Sequence, residues 1–288
     1  MTEKELLKQL ERELTKEYKD TEAVIKGKIA DFTKKFDKEN KLYLEKVKKG
    51  EIDEKTYKQW YKQQVTSQKW SNDMIKELSE DMTKANVKAS DIINNYTSDL
   101  YLNGCLEASG EFEDLLGFDL IDRKQIDSLM KENKSLLPKS KVTVPKDEKW
   151  NERRMRSAVL QSALKGESIP KLSKRLEHIV GMNHTSSVRN ARTMMTSSHN
   201  LGKQTMAEEA KEMGINVKKM WIATNDDRTR ESHAEMDGVT VDVDEPFVLT
   251  NMDGSKSELM YPADPDGDPE QVYNCRCTMG YKILPPNE

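Results

Sequence analysis

The residues able to do chemistry crowd into one stretch, Trp221 to Tyr281. It opens W-I-A-T-N-D-D-R-T-R-E-S-H-A-E-M-D-G and closes N-C-R-C-T-M-G-Y. His233, Cys275 and Cys277 are the first set, because imidazole and thiolate are ligands for zinc. If Cys275 and Cys277 lie in a strand, they face one side and approach one ion together. A fourth ligand would come from Asp226, Asp227, His184, His199 or water. C-x-C is not the usual finger spacing. Two buried thiols plus a histidine bonded to a carboxylate or carbonyl are the simpler expectation, so no cofactor is expected and zinc is the alternative.

The second set is Asp226, Arg228, Arg230, His233 and Asp237. It could serve a metal-dependent nuclease or hydrolase centred on His233. Arginine forks also pair with carboxylates two bonds at a time, which pins a small domain. The expectation adopted is that structural network, with Trp221 and Asn274 included and no catalytic residue. Asp264-Pro265-Asp266-Gly267-Asp268 suggests an EF-hand, but the glycine is misplaced and two prolines intrude. It is expected to be a Pro-ordered acidic loop. The chain has no HExxH, phosphate-cradling glycine loop or nucleophilic serine motif.

Elements must position these groups. Strand-type runs surround the site at Val217–Ala223, Val239–Val243 and Phe247–Leu249, and a last strand is expected to hold both cysteines and end near Leu284. Leu259-Met260-Tyr261 is expected to pair with Phe247-Val248-Leu249 across Asp253-Gly254. Asp226 or Asp227 is expected to cap a short helix over Glu231–Met236. Ahead of this module the spacing is helical: residues 2–49, a helix opened by Asp53, and one from about Ser71 to Leu102. Three glycines make 103–125 a loop or corner, and Ile126–Leu136 a short helix follows. Further helices are expected over Trp150–Leu164, between Ser168 and Gly181, and from Ser186 to Met213. Tyr57, Trp60 and Tyr61 are expected to pack helix to helix rather than stack on bases.

The fold class is therefore α+β. Residues 1–137 form a helical assembly region, 138–149 a linker and 150–284 a second region, helical over 150–213 and small α+β over 215–284. Hydrophobic residues make up 35% and charged ones 34%, which suits helices with wide solvated faces rather than one spherical core. Charge is uneven: +3 over 1–50, +9 over 133–211 and −8 over 215–288. The basic middle offers Arg153, Arg154, Arg156, Lys174, Arg175, Arg189 and Arg192 as contacts for non-specific double-stranded DNA. Two helices joined near Gly181 also raise the helix-turn-helix question. Three cysteines do not make a disulfide scaffold, and Cys105 is expected to be a buried small hydrophobe. The first residues are no signal peptide, and no apolar run approaches the roughly 18 residues of a membrane span. A soluble chain made in a cytoplasm, with no membrane partner, is expected.

The series A-R-T-M-M-T-S-S-H-N from Ala191, the run from Trp221, P-F at Pro246, Y-P-A-D-P-D-G-D-P-E from Tyr261 and N-C-R-C at Asn274 resembles the Mu F-like minor head proteins of tailed phages. The resemblance covers about 150–281 and rests most on Asp226, Arg228, Thr229, Arg230 and His233, with the terminal N-C-R-C. It implies a minor component of the procapsid, made in the host bacterial cytoplasm and packaged inside the virion. Its implied partner is the portal protein, with scaffolding or major capsid protein as further partners. It implies no enzymatic activity and leaves room for contact with DNA and a part in its delivery.

Overall fold

Leucines at helical spacing from Leu6 onward begin α1 (Glu3–Lys48) in a computed structural model that describes residues 2–67, 69–116, 123–132, 135–165, 167 and 169–285. A reciprocal box starts it: Glu5 N–H donates to Thr2 Oγ1 at 3.3 Å and Thr2 N–H to Glu5 Oε2 at 2.9 Å. Gly50, at φ +70°, stops it, with Gly50 N–H on Val47 O and Glu51 N–H on Lys46 O. Asp53 opens α2 (Glu54–Ser67), its carboxylate accepting Thr56 N–H at 2.7 Å. The aromatic residues pack on one another as expected. Tyr43 and Trp60 stack at 3.9 Å between ring centres, and Phe36 meets Tyr61 edge-on at 5.3 Å.

Two expectations built on glycine fail. Of the corner expected at 103–125, residues 103–116 are instead the continuation of α3 (Lys69–Leu116), which passes through Gly104 and Gly110, and 117–122 lie outside the described residues. Likewise α6 (Ile169–Glu212) runs unbroken through Gly181, so the helix-turn-helix has no turn. A single glycine costs a helix only about 1 kcal/mol, which long flanking packing outweighs. Gly104 and Gly202 also have a reason to be there. A Cβ on Gly104 would lie 2.0 Å from His199 O, and one on Gly202 2.2 Å from Tyr101 O. The two helices cross backbone to backbone at this point. Ser168, where the helix ending at Gly181 was expected to open, lies outside the described residues. The segment read as a linker divides: 138–143 is irregular, while α5 (Val144–Leu164) takes the remainder, with Pro145 in its first turn. Between α3 and α5 in the chain, α4 (Arg123–Glu132) answers to the short helix expected over Ile126–Leu136, begun three residues earlier.

Compactness follows neither chain order nor helix boundaries. One unit comprises 13–90 and 141–187. Its buried side chains include Leu14, Ile25, Ile29, Leu78, Met82, Met155 and Leu176. A polar cluster is buried among them: Tyr18 Oη donates to Asn86 Oδ1 at 2.7 Å, and Asn86 donates to Asn183 and Asp147. The other unit comprises 1–12, 91–140 and 188–288. Its core joins Tyr101, Cys105 and Phe112 of α3, Met206 and Ala210 of α6, and the apolar residues after Val217.

Those later residues form the small mixed module. Strand β1 (Val217–Ile222) pairs antiparallel with β2 (Thr240–Asp242) and with β5 (Thr278–Ile283), in the order β2-β1-β5. Strand β3 (Phe247–Thr250) pairs with β4 (Lys256–Leu259), Phe247 opposite Leu259, around a turn with Gly254 at φ +85°. Two short helices complete the module, α7 (Glu231–Glu235) and α8 (Pro269–Val272). The α+β class holds. One expectation about it does not: β5 begins at Thr278, so Cys275 and Cys277 precede the strand. Asn274, at φ +59°, turns the chain just before them.

Candidate functional site

Three buried side chains converge at one point of the module: His233 from α7, and Cys275 and Cys277 from the turn before β5. His233 Nδ1 lies 3.4 Å from Cys277 Sγ and 3.7 Å from Cys275 Sγ, and all three atoms fall within 4.8 Å of one another. Strand alternation does not bring the sulfurs together. The turn at Asn274 does, directing Cys275 and Cys277 inward and leaving Arg276 between them exposed.

Two residues of α6 hold that turn. Thr193 Oγ1 accepts Asn274 N–H at 3.0 Å, and Asn200 Nδ2 donates to Cys277 O and to Pro262 O, both at 3.0 Å. Thr224 adds a third tie, its hydroxyl on Arg276 O at 2.6 Å. Tyr273 O accepts from the Arg230 guanidinium.

The histidine is oriented from behind. Gln271 Oε1 lies 3.1 Å from His233 Nε2. Gln271 Nε2 donates to Thr250 O and to Asn251 Oδ1, and Asn251 Nδ2 donates to the Asp268 carboxylate at 2.7 Å. A carbonyl and a carboxylate can only accept, so they fix both amides. Gln271 therefore presents oxygen to His233, the proton sits on Nε2, and Nδ1 faces the sulfurs. Trp221 closes one side, its ring edge-on to the imidazole at 5.4 Å. Of the two thiols, Cys277 is pulled down by the hydrogen bond from Cys275 and by His233, while Cys275, the donor, is pushed up. A concavity lined by Thr224, Arg228, Arg230, Asn274 and Arg276 lies beside the three.

The expected Asp-Arg-His network is not one network. Asp226 pairs with Arg276, which sequence reasoning did not single out, through bonds of 2.5 and 2.6 Å. This fork holds the Asp226 carboxyl well below its ordinary range. Asp226 also accepts Arg228 N–H and the Thr229 hydroxyl, so it shapes the turn instead of capping α7, whose N-cap residue is Arg230. Arg228 is largely exposed, 3.7 Å from Asp226. Asp237 takes Ala223 N–H and Asn225 Nδ2, and its carboxyl is lowered first by that backbone bond. Asp227 is exposed. Trp221 is fully buried, and its indole N–H has no hydrogen-bond partner among the described residues. The acidic loop is as expected: buried Asp264 accepts Met260 N–H and Asp266 N–H.

The other ligands proposed for a fourth position are engaged elsewhere. His199 meets Glu107 at 3.1 Å, and His184 meets Thr15 Oγ1 at 3.2 Å. The DNA candidates are divided as well. Arg189 and Arg192 belong to one compact unit, and Arg153, Arg154, Arg156, Lys174 and Arg175 to the other. Arg175 grips Glu167, Arg192 pairs with Glu11, Arg156 pairs with Glu152, and Arg154 lies over the Trp150 ring. Arg153 donates to Lys149 O, while Lys174 and Arg189 are exposed. Besides Arg276, sequence reasoning missed Gln271, Asn200 and buried Lys219. Lys219 shares the inward face of β1 with Val217 and Trp221, a signal the alternation carried. It donates to Met260 O at 2.7 Å, and burial lowers it to about 8.

Residues 153–280 match the family described as Phage Mu protein F like protein. Over 120 residues, 42% of this chain, it is 34% identical to "NAD(+)--arginine ADP-ribosyltransferase EFV" of Enterococcus faecalis, covering 23% of that protein. Over 127 residues, 44% of the chain, it is 29% identical to "Minor head protein GP7" of Bacillus phage SPP1, covering 39% of it. The chain thus spans well under half the length of these curated relatives. No solved structure matches it. Among the described residues, no helix is long and apolar enough to cross a membrane.

Proposed function

From the match of residues 153–280 to the Phage Mu protein F like family, we infer that this chain is a minor protein of a tailed-phage head. The observation that carries the inference is that match, joined to the likeness to a phage minor head protein. The chain acts as a structural part, not a catalyst, and resides inside the virion. Its ionic groups support this reading. Asp226 is spent on Arg276, Asp237 on a backbone N–H and Asp264 on two more, so each carboxylate stiffens a turn. The transferase named among its relatives shares only 23% of its length with the matched stretch, and its activity is not carried over.

Its partner is the portal protein, with scaffolding or major capsid protein as neighbours during assembly. Leu42 and Leu44 of α1 and Leu106 and Leu115 of α3 are exposed apolar side chains available for such contacts. Genetically, the test is to assemble particles from co-expressed head genes with and without the portal gene, and to measure this chain by mass spectrometry. It is expected in portal-containing particles and depleted from portal-less ones. Equal incorporation without the portal overturns the portal assignment, and absence from all particles overturns the head assignment. DNA cleavage that disappears in His233→Ala would instead favour the hydrolase reading.

A further inference from the structure

We propose that His233 Nδ1, Cys275 Sγ and Cys277 Sγ hold a zinc ion that fastens the turn before β5 to α7. The proposal stands on ligand geometry, charge and the shell behind the histidine, and does not depend on the head-protein reading.

Ligand geometry comes first. In a tetrahedral site with Zn–S near 2.3 Å and Zn–N near 2.0–2.1 Å, ligand atoms stand roughly 3.5–3.8 Å apart. The observed Nδ1–Sγ separations are 3.4 and 3.7 Å. The three groups are already spaced for one small ion, and no side chain need move far to take it.

The histidine is set in advance. A ligating imidazole normally gives its other N–H to a fixed acceptor, which settles the tautomer and aims the ring. Here Gln271 is that acceptor, and Thr250 O, Asn251 and Asp268 lock its amide. Ser232 donates to the same Gln271 oxygen at 2.9 Å, which holds the acceptor from a further side. Together these bonds aim Nδ1 at two sulfurs in a buried site.

Charge agrees. Two thiolates neutralise a divalent cation, so the filled site is neutral in its buried setting. Soft sulfur donors with one imidazole select zinc over magnesium or calcium. Among the described residues no fourth His, Cys or carboxylate joins the group. A water completes the tetrahedron from the side of the concavity beside Arg228 and Arg230.

The test uses the full chain, purified under reducing conditions without chelator. Elemental analysis is expected to find one zinc per chain. After exchange for cobalt(II), thiolate-to-cobalt absorption in the near ultraviolet and strong tetrahedral bands in the visible are expected. Both should vanish in Cys275→Ser with Cys277→Ser and persist in Cys105→Ala. Gln271→Met keeps all three ligands and should weaken zinc binding about 10- to 100-fold. A folded wild-type chain that carries no zinc and gives no thiolate-to-cobalt absorption with excess cobalt overturns the proposal. So does a full equivalent of zinc retained by the double serine variant. If that variant does not fold, the cobalt spectrum of Cys105→Ala decides alone, because only Cys275 and Cys277 remain to produce it.

Discussion

Lys203 is 1% exposed and answers to two carboxylates, Glu107 at 2.9 Å and Glu111 at 2.6 Å. Removing one partner of such a set leaves charge without compensation. Lys203→Met is expected to cost about 3 kcal/mol in chemical denaturation, partly recovered when Glu107→Gln is added. The set also responds to acid. His199 first, then Lys203, hold Glu107 down to about 2, from an ordinary 4.5. A depressed carboxyl stabilises the fold above its unfolded value and loses that contribution as pH falls through the folded one. The window is therefore pH 5 to 2. Glu107 is half exposed, so solvent screening cuts the effect to about 1 kcal/mol. Wild type should lose that much more than Glu107→Gln across the window, read from urea midpoints. Burial pushes Glu111 the other way, so Glu111→Gln should not reproduce the flattening.

Elements make a different prediction from the same residue type. Gly104→Ala and Gly202→Ala each drive a Cβ into the facing helix backbone, and backbone cannot rotate aside. Each is expected to cost about 3 kcal/mol, at the upper end for overpacking. Gly27→Ala and Gly181→Ala meet nothing within 4 Å and should stabilise their helices by about 0.5–1 kcal/mol. Thermal unfolding of the four variants separates the two roles. The contrast also says what the sequence could reveal. Helix stripes, strand β3 and its turn at Gly254 were legible, because periodicity and turn chemistry are local signals. The strand expected at Leu259–Tyr261 is instead Lys256–Leu259, so that only Leu259 was placed correctly. A crossing glycine and a breaking glycine look alike until the facing helix is known. The same holds at the site. His233 and both cysteines could be picked out by type, but their meeting depends on one left-handed residue, Asn274, and on Thr193 and Asn200 some 80 positions earlier. Gln271 gave no sign of its part, since a glutamine carries no motif. Lys219 did, through the inward alternation of β1.

At the scale of the molecule, the basic middle is not carried by one compact unit. Its arginines fall in two separate units and several are held by carboxylates of the same unit. With a net charge of −4, the chain should bind duplex DNA feebly. Filter binding across 50 to 200 mM salt is expected to give a log-log slope no steeper than about −2, the release of a couple of counterions. A slope near −6 would restore the DNA-binding reading.

Helices α1, α3 and α6 each pass residues to both units, and the unit that carries the site draws on 1–12, 91–140 and 188–288. On the ribosome, its first segment must wait for the last, since β5 pairs with β1 only once Thr278–Ile283 has left the exit tunnel. Until then Tyr101, Cys105 and Phe112 lack the partners that later cover them. The nascent chain is open to proteases and chaperones until Thr278–Ile283 has emerged and paired.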